Sequence, residues 1–210
     1  MYAVKEIFYT LQGEGFQAGR PAVFCRFSGC NLWSGREKDR ATSACTFCDT
    51  DFVGVNGVNG GKYPDDGSLP YVIADLWPHQ ETDNRLVVFT GGEPLLQLDE
   101  PLLRALRALG FRCAVESNGT IQPPAGIDWL TVSPKGAAPL KINRANELKL
   151  VFPQPDAQPE AFSDFVADQY FLQPLDGPDQ AANTQAAIEY CKAHPKWRLS
   201  MQTHKYLGIP

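Results

Sequence analysis

Only three histidines and two methionines occur among the 210 residues. The scarcity of imidazole narrows the metal chemistry available to the chain. Structural zinc closes its sphere with four ligands drawn from Cys and His. No His lies within or near the stretch from Cys30 to Cys48, where cysteines cluster, so a closed zinc site there would have to recruit a distant side chain such as His79 or His204. Positive charge is also in short supply, with 19 Lys and Arg against 24 Asp and Glu and a net charge of −5. Binding to a phosphate backbone draws on a cationic surplus, so no nucleic-acid partner is expected. No segment approaches the ~18 consecutive apolar residues of a membrane span. The first six residues lack the basic and then apolar regions of a leader. These absences predict a cytoplasmic chain with no membrane partner. Disulfides are rare in that reducing compartment, so clustered thiols there point to metal binding or catalysis.

What is present is enough for one well-packed domain, since 43% of the residues are hydrophobic and 11% aromatic and a chain of this length buries a substantial core. Of six cysteines, Cys25, Cys113 and Cys191 sit among apolar neighbours and read as small core residues. Cys30, Cys45 and Cys48 differ. Fourteen residues separate the first two and two separate the last two. The short gap lets two thiolates turn onto one centre, and the long one brings the third from a separate loop. A cubane cluster usually takes four cysteines, so three leave one iron open to another ligand. On spacing alone, an iron–sulfur cluster, a zinc site and unrelated thiols all remain open.

Apolar runs alternate with helix-like spans along the chain. Strands are expected over 4–10, Pro21–Phe27, 86–89, 111–115, Trp129–Val132, 148–152, 170–172 and 197–203. A helix capped by Ser68, with Pro70 in its first turn, places Val72, Ile73, Leu76 and Trp77 on one stripe. A second, capped by Asp99 and stopped by Gly110, turns Leu102, Leu103, Leu106 and Leu109 inward. Helical spans are also expected over 159–167 and Gln180–Ala193, and a mobile loop over 53–67. This rhythm implies an α/β domain of parallel strands with crossover helices, and in such folds working residues gather at the carboxyl ends of the strands.

One of those ends is Thr90-Gly91-Gly92-Glu93-Pro94. Its two glycines leave the backbone bare to a ligand, and Glu93 adds a carboxylate suited to an ammonium group. Together with the three-cysteine loop upstream, this run resembles the radical S-adenosylmethionine enzymes. Gln12-Gly13-Glu14-Gly15, Arg26-Phe27-Ser28-Gly29-Cys30-Asn31-Leu32, Phe47-Cys48-Asp49-Thr50, Glu116-Ser117-Asn118-Gly119 and Ser133-Pro134-Lys135 narrow the match. With the Gly-Gly-Glu run they follow the order found in the 7-carboxy-7-deazaguanine synthase family. Gln202-Thr203-His204-Lys205 resembles that family's end. The superfamily usually spaces its first two cysteines three residues apart, so residues 34–44 are read as a polar insertion in the cluster loop.

The resemblance implies a partial, modified TIM-like (β/α) barrel formed by one domain over residues 1–210. It implies a lyase that converts 6-carboxy-5,6,7,8-tetrahydropterin to 7-carboxy-7-deazaguanine with release of ammonia, on the route to 7-deazapurines such as queuosine. Cys30, Cys45 and Cys48 would hold a [4Fe–4S] cluster. S-adenosylmethionine would meet Phe47, Gly91, Gly92, Glu93, Glu116, Asn118, Ser133, Pro134, Lys135 and Gln173. The pterin would meet Leu11, Gln12, Gly13, Glu14, Arg26, Thr90, His204 and Pro210, with Arg26 suited to a carboxylate through two parallel hydrogen bonds. Mg²⁺ would bind Thr50 with support from Asp49, the alternative being that Asp49-Thr50-Asp51 is an ordinary turn. A homodimer and a flavodoxin- or ferredoxin-type electron donor are also implied. The tail over 204–210 is expected to close the site, held down by Tyr206, Leu207, Ile209 and Pro210. Two other functions compete: a related radical enzyme that activates a protein partner, and a zinc-stabilised binding module without catalysis.

Overall fold

The computed structural model describes residues 1–64 and 67–210. Its nine strands are β1 (Tyr2–Leu11), β2 (Pro21–Phe27), β3 (Gly61–Tyr63), β4 (Leu86–Gly91), β5 (Arg112–Ser117), β6 (Trp129–Val132), β7 (Arg144–Phe152), β8 (Val166–Pro174) and β9 (Arg198–Leu199). They form one sheet in the order β3-β1-β2-β4-β5-β6-β7-β8-β9. From β2 to β9 every neighbouring pair is parallel. The expectation of parallel strands fails only at the start, where β1 runs antiparallel to both β2 and β3. The connection over 12–20 is too short for a crossover, which takes a dozen residues or more, so the chain turns back as a hairpin.

The helices are α1 (Ser68–Asp75), α2 (Glu100–Ala108), α3 (Gln180–Ala193) and the short α4 (Thr203–Leu207). One face of the sheet carries Val23, Cys25, Phe27, Val87, Phe89, Cys113, Val115, Leu148, Leu150 and Leu172 into a continuous core. Leu69 and Ile73 of α1, Leu102, Leu103 and Leu106 of α2, and Ala187 of α3 complete that core. The other face has only a small apolar cluster, Ala22, Leu86, Val88 and Ala114, with Phe24 and Trp129 beside it. One face is thus covered by helices, while the opposite face is inward and largely polar, which makes a partial (β/α) barrel. Pleating explains the division, because successive side chains point to opposite faces. On β7, Leu148 and Leu150 enter the core while Glu147 and Lys149 turn to the polar side.

Several local expectations need correction. Ser68 is the first residue of α1 rather than its cap; Gly67 takes the cap position with φ +85°. Asp99 does cap α2, accepting from the Leu102 N–H at 3.1 Å, and Gly110 ends it with φ +83°. The helix expected over 159–167 is one 3-10 turn, Pro159–Phe162, because the chain from Val166 pairs with Arg144 onward and extends both β7 and β8. The loop over 53–67 contains β3 and is tied to β1, since the Lys5 ammonium donates to Asp51, the Val53 carbonyl and Asn56. Its positions 65 and 66 lie outside the described residues. The last strand is two residues long, and the chain then bends so that the Thr203 N–H bonds the Gly13 carbonyl at 3.0 Å. Cys25 and Cys113 are fully buried as expected, whereas Cys191 is half-buried. Among the described residues no helix is long and apolar enough to cross a membrane.

Candidate active site

A cavity of about 440 Å³ opens at the carboxyl ends of the parallel strands, a volume in the range of small-molecule sites. The loop after β1 supplies Leu11, Gln12, Gly13 and Glu14, and β2 supplies Arg26. Cys30, Cys45, Phe47, Cys48, Asp49 and Thr50 come from the long loop after β2. The ends of β4, β5, β6 and β8 contribute Thr90, Gly91 and Gly92, Glu116 and Asn118, Ser133 and Lys135, and Gln173. The carboxyl terminus adds His204 and Pro210. Residues spread over almost the whole sequence therefore share one wall.

Two expected site residues stand behind that wall. Glu93 is fully buried. One of its oxygens accepts from the Leu95 N–H at 3.0 Å and Ser117 Oγ at 2.9 Å, and the other from the Asn118 N–H at 2.8 Å. Its carboxylate joins the ends of β4 and β5, and burial raises its pKa against the pull of these donors. Pro134 lies outside the cavity lining, its carbonyl accepting from Gln154 at 3.2 Å. The glycines have a packing reason beyond a bare backbone. A Cβ at Gly92 would overlap the Gly29 carbonyl oxygen, and one at Gly91 would lie 2.9 Å from the Phe27 carbonyl oxygen. The Gly-Gly turn is what lets β4 end hard against the start of the cysteine loop.

Beneath the cavity lies a charge network that sequence reasoning missed. Lys149 is 3% exposed and pairs with Glu14, with Glu116 at 3.8 Å. Gln12 donates to Glu116 at 2.9 Å, and Gln202 to Glu14 at 3.0 Å. Burial opposes ionisation of Glu14, but the Lys149 charge and hydrogen bond outweigh it and hold the carboxyl at about 2. Burial likewise opposes a charged Lys149, and the surrounding carboxylates push its pKa above the ordinary lysine value. Glu147, on the same face, has no direct bond from that ammonium; burial raises its pKa, although it accepts from the Phe16 N–H at 3.1 Å. The signal was present in the strand itself, where two charged residues alternate with leucines.

Arg26 is held by Glu6, Nε to Oε1 at 2.8 Å, and Glu6 also lines the cavity. The carboxyl-terminal segment is tied by polar groups. Lys205 reaches Asp49 at 2.6 Å and Asp176 at 2.5 Å, Thr10 donates to the Pro210 carbonyl at 3.1 Å, and Thr203 Oγ1 donates to the Gly13 carbonyl at 2.9 Å. Tyr206 and Leu207 are exposed, which corrects the expectation that they hold the tail down. Gly13 is the seat of this segment, since any Cβ there would overlap the His204 ring.

Cys30, Cys45 and Cys48 are free thiols on the same cavity wall. Among the described residues no three His, Cys, Asp or Glu stand close enough to hold a single ion. Three thiols on one cavity wall suit an iron–sulfur cluster with one iron left open to another ligand.

A partial (β/α) barrel with a polar, thiol-lined cavity at its strand ends defines the class: an α/β enzyme with a small-molecule site. No family model matches the chain. It is 64% identical over 209 residues to the 7-carboxy-7-deazaguanine synthase of Bordetella pertussis, covering 100% of this chain and 99% of that protein. The synthase of Caulobacter vibrioides is 61% identical with the same coverage. The crystal structure of QueE from Escherichia coli matches with a TM-score of 0.70 and 30% identity, over 95% of this chain and 93% of that one. The chain belongs to the 7-carboxy-7-deazaguanine synthase family.

Proposed function

We propose that this enzyme converts 6-carboxy-5,6,7,8-tetrahydropterin to 7-carboxy-7-deazaguanine with release of ammonia, in the route to queuosine, using a [4Fe–4S] cluster, S-adenosylmethionine and Mg²⁺. The observation that carries this reading is the meeting of three free thiols with Arg26, Glu14 and Glu116 around one cavity. Cys30, Cys45 and Cys48 would hold the cluster, which with S-adenosylmethionine supplies a carbon-centred radical. The chain's own task is then placement and exclusion of water. Gly91, Gly92, Asn118, Ser133, Lys135, Gln173 and Phe47 bind S-adenosylmethionine, while Glu93 and Pro134 support the loops that do so from behind. Arg26 takes the substrate carboxylate, and Leu11, Gln12, Gly13, Thr90 and His204 flank the ring. Glu14, fixed by Lys149, accepts hydrogen bonds from its N–H groups, and Glu116, near the same ammonium, meets S-adenosylmethionine. Thr50 binds Mg²⁺ through oxygen, with Asp49 in support once it is freed from Lys205. A flavodoxin- or ferredoxin-type protein donates the electron, and the chain pairs as a homodimer in the cytoplasm.

The test is anaerobic turnover of the reconstituted protein. Formation of 7-carboxy-7-deazaguanine and ammonia, reduction by flavodoxin, and a Mg²⁺ response weakened in Thr50→Val are expected. A colourless, zinc-loaded protein without turnover would end this reading. Sedimentation tests the dimer directly, and a monomer at working concentration removes that element.

The same reading makes the tail over 204–210 a cover for the cavity. Deleting residues 206–210 removes the bond from Thr10 to Pro210 and leaves the core untouched. Turnover is expected to fall by at least about tenfold, because small losses of placement are costly, while iron content and melting temperature stay the same. Unchanged kinetics in the truncated protein would show that the tail is a loose end.

A further inference from the structure

The insertion over 34–44 is built, not loose. It leaves the cysteine loop at Leu32 and returns at Cys45, whose N–H donates to the Leu32 carbonyl at 3.4 Å. Trp33 anchors its base: the ring is buried, meets Phe52 edge-on at 5.6 Å, and donates to the Arg36 carbonyl at 3.2 Å. The 3-10 turn Glu37–Thr42 follows, and from it Arg40 lies over the Trp33 ring, 4.1 Å from its centroid. Both Glu37 oxygens hold Arg40 Nε at 2.9 Å. Its Nη1 then donates to the carbonyls of Thr46 and Cys48, each at 3.0 Å. Among the described residues, Arg40 provides the side-chain hydrogen bonds from the insertion to the segment that carries Cys45 and Cys48.

Lengthening a loop raises the entropy cost of closing it. A planar guanidinium with a rigid fork loses less entropy per bond than a flexible ammonium, so stacking on Trp33 and pairing with Glu37 make it a fixed strut. We propose that Arg40 is a positioning residue that clamps the segment over 45–48, so that the long insertion delivers two thiolates in register with Cys30. The proposal rests on the cluster reading above. It adds that the positive charge beside the Cys48 carbonyl raises the cluster's reduction potential, since net charge and hydrogen bonding set that potential.

Arg40→Met keeps an apolar stem over Trp33 but removes the fork and the charge, and Arg40→Lys keeps only the charge. In metal-free full-length protein, hydrogen exchange of the amides over 45–48 is expected to be about tenfold faster in Arg40→Met, the scale of one lost charge-assisted hydrogen bond. Exchange in β4 should not change. After reconstitution, Arg40→Met loses iron to a chelator about tenfold faster and has a lower midpoint potential. Arg40→Lys restores the potential but not the cluster lifetime. Wild-type exchange, iron retention and potential in Arg40→Met would overturn the clamp. If the wild type takes up no cluster, the cluster reading fails, while the exchange measurement on metal-free protein still decides whether the clamp exists.

Discussion

Alanine at Cys30, Cys45 or Cys48 is expected to abolish both iron retention and turnover, whereas Cys191→Ala preserves them. Each of the three thiols borders the cavity, and no spare thiol is placed to replace one of them. Cys25 is sealed in the core, where burial drives its pKa far up, and burial pushes the Cys113 thiol up to about 12. Neither borders the cavity, and Cys191 lies on α3, packed against the helix-covered core. With two protein ligands a cube would leave two irons open to solvent. The fall in turnover should exceed about a thousandfold, as when a group that carries the chemistry is removed. Iron and sulfide content after anaerobic reconstitution provides an independent readout. Normal iron and normal activity in all three variants would sink the cluster assignment.

The parallel part of the sheet was legible because its strands are short apolar runs that end in polar turns. Pro21–Phe27, Trp129–Val132 and Gln180–Ala193 occur with the expected bounds. The site was legible where local chemistry marks it, as in the thiols and the Gly-Gly turn. What escaped notice depends on partners far away in the chain. The ends of β7 and β8 are too polar to read as strand, and they extend only because each pairs with the other. The region after Leu199 carries strand-like residues, but bonds to Gly13 bend it into α4. Glu93 looks like a ligand carboxylate in sequence, and only the folded chain reveals the N–H groups of Leu95 and Asn118 aimed at it. Lys149 was hidden for the same reason: its meaning lies in Glu14 and Glu116, which come from the loop after β1 and from β5.

Lys149→Met is expected to cost about 3–5 kcal/mol, the usual penalty for leaving buried charges without their partner. For a chain of this size that is a fall of roughly 6–20 °C in melting temperature. The pH dependence provides the sharper test. In the wild type, Glu14 titrates at about 2 against an ordinary value of 4.5. A folded pKa below the unfolded one contributes stability that is full above about 4.5 and is lost as pH falls toward 2. Lys149 is shifted upward, so its contribution is present below the ordinary lysine value and is lost as alkaline pH passes through its raised value. Without the ammonium, burial becomes the dominant effect on Glu14, opposed mainly by the single Gln202 hydrogen bond, just as burial already raises Glu147, and the sign at Glu14 reverses. The variant should therefore gain stability as pH is lowered from 7 to about 5, because protonation relieves the unpaired charge. Activity should fall in kcat/KM even where the variant is folded, since Glu14 loses the bond that aims it into the cavity. Melting curves recorded across pH separate this account from simple loss of packing. If Lys149→Met melted within about 2 °C of the wild type and shared its pH profile, the network would carry neither the stability nor the placement assigned to it.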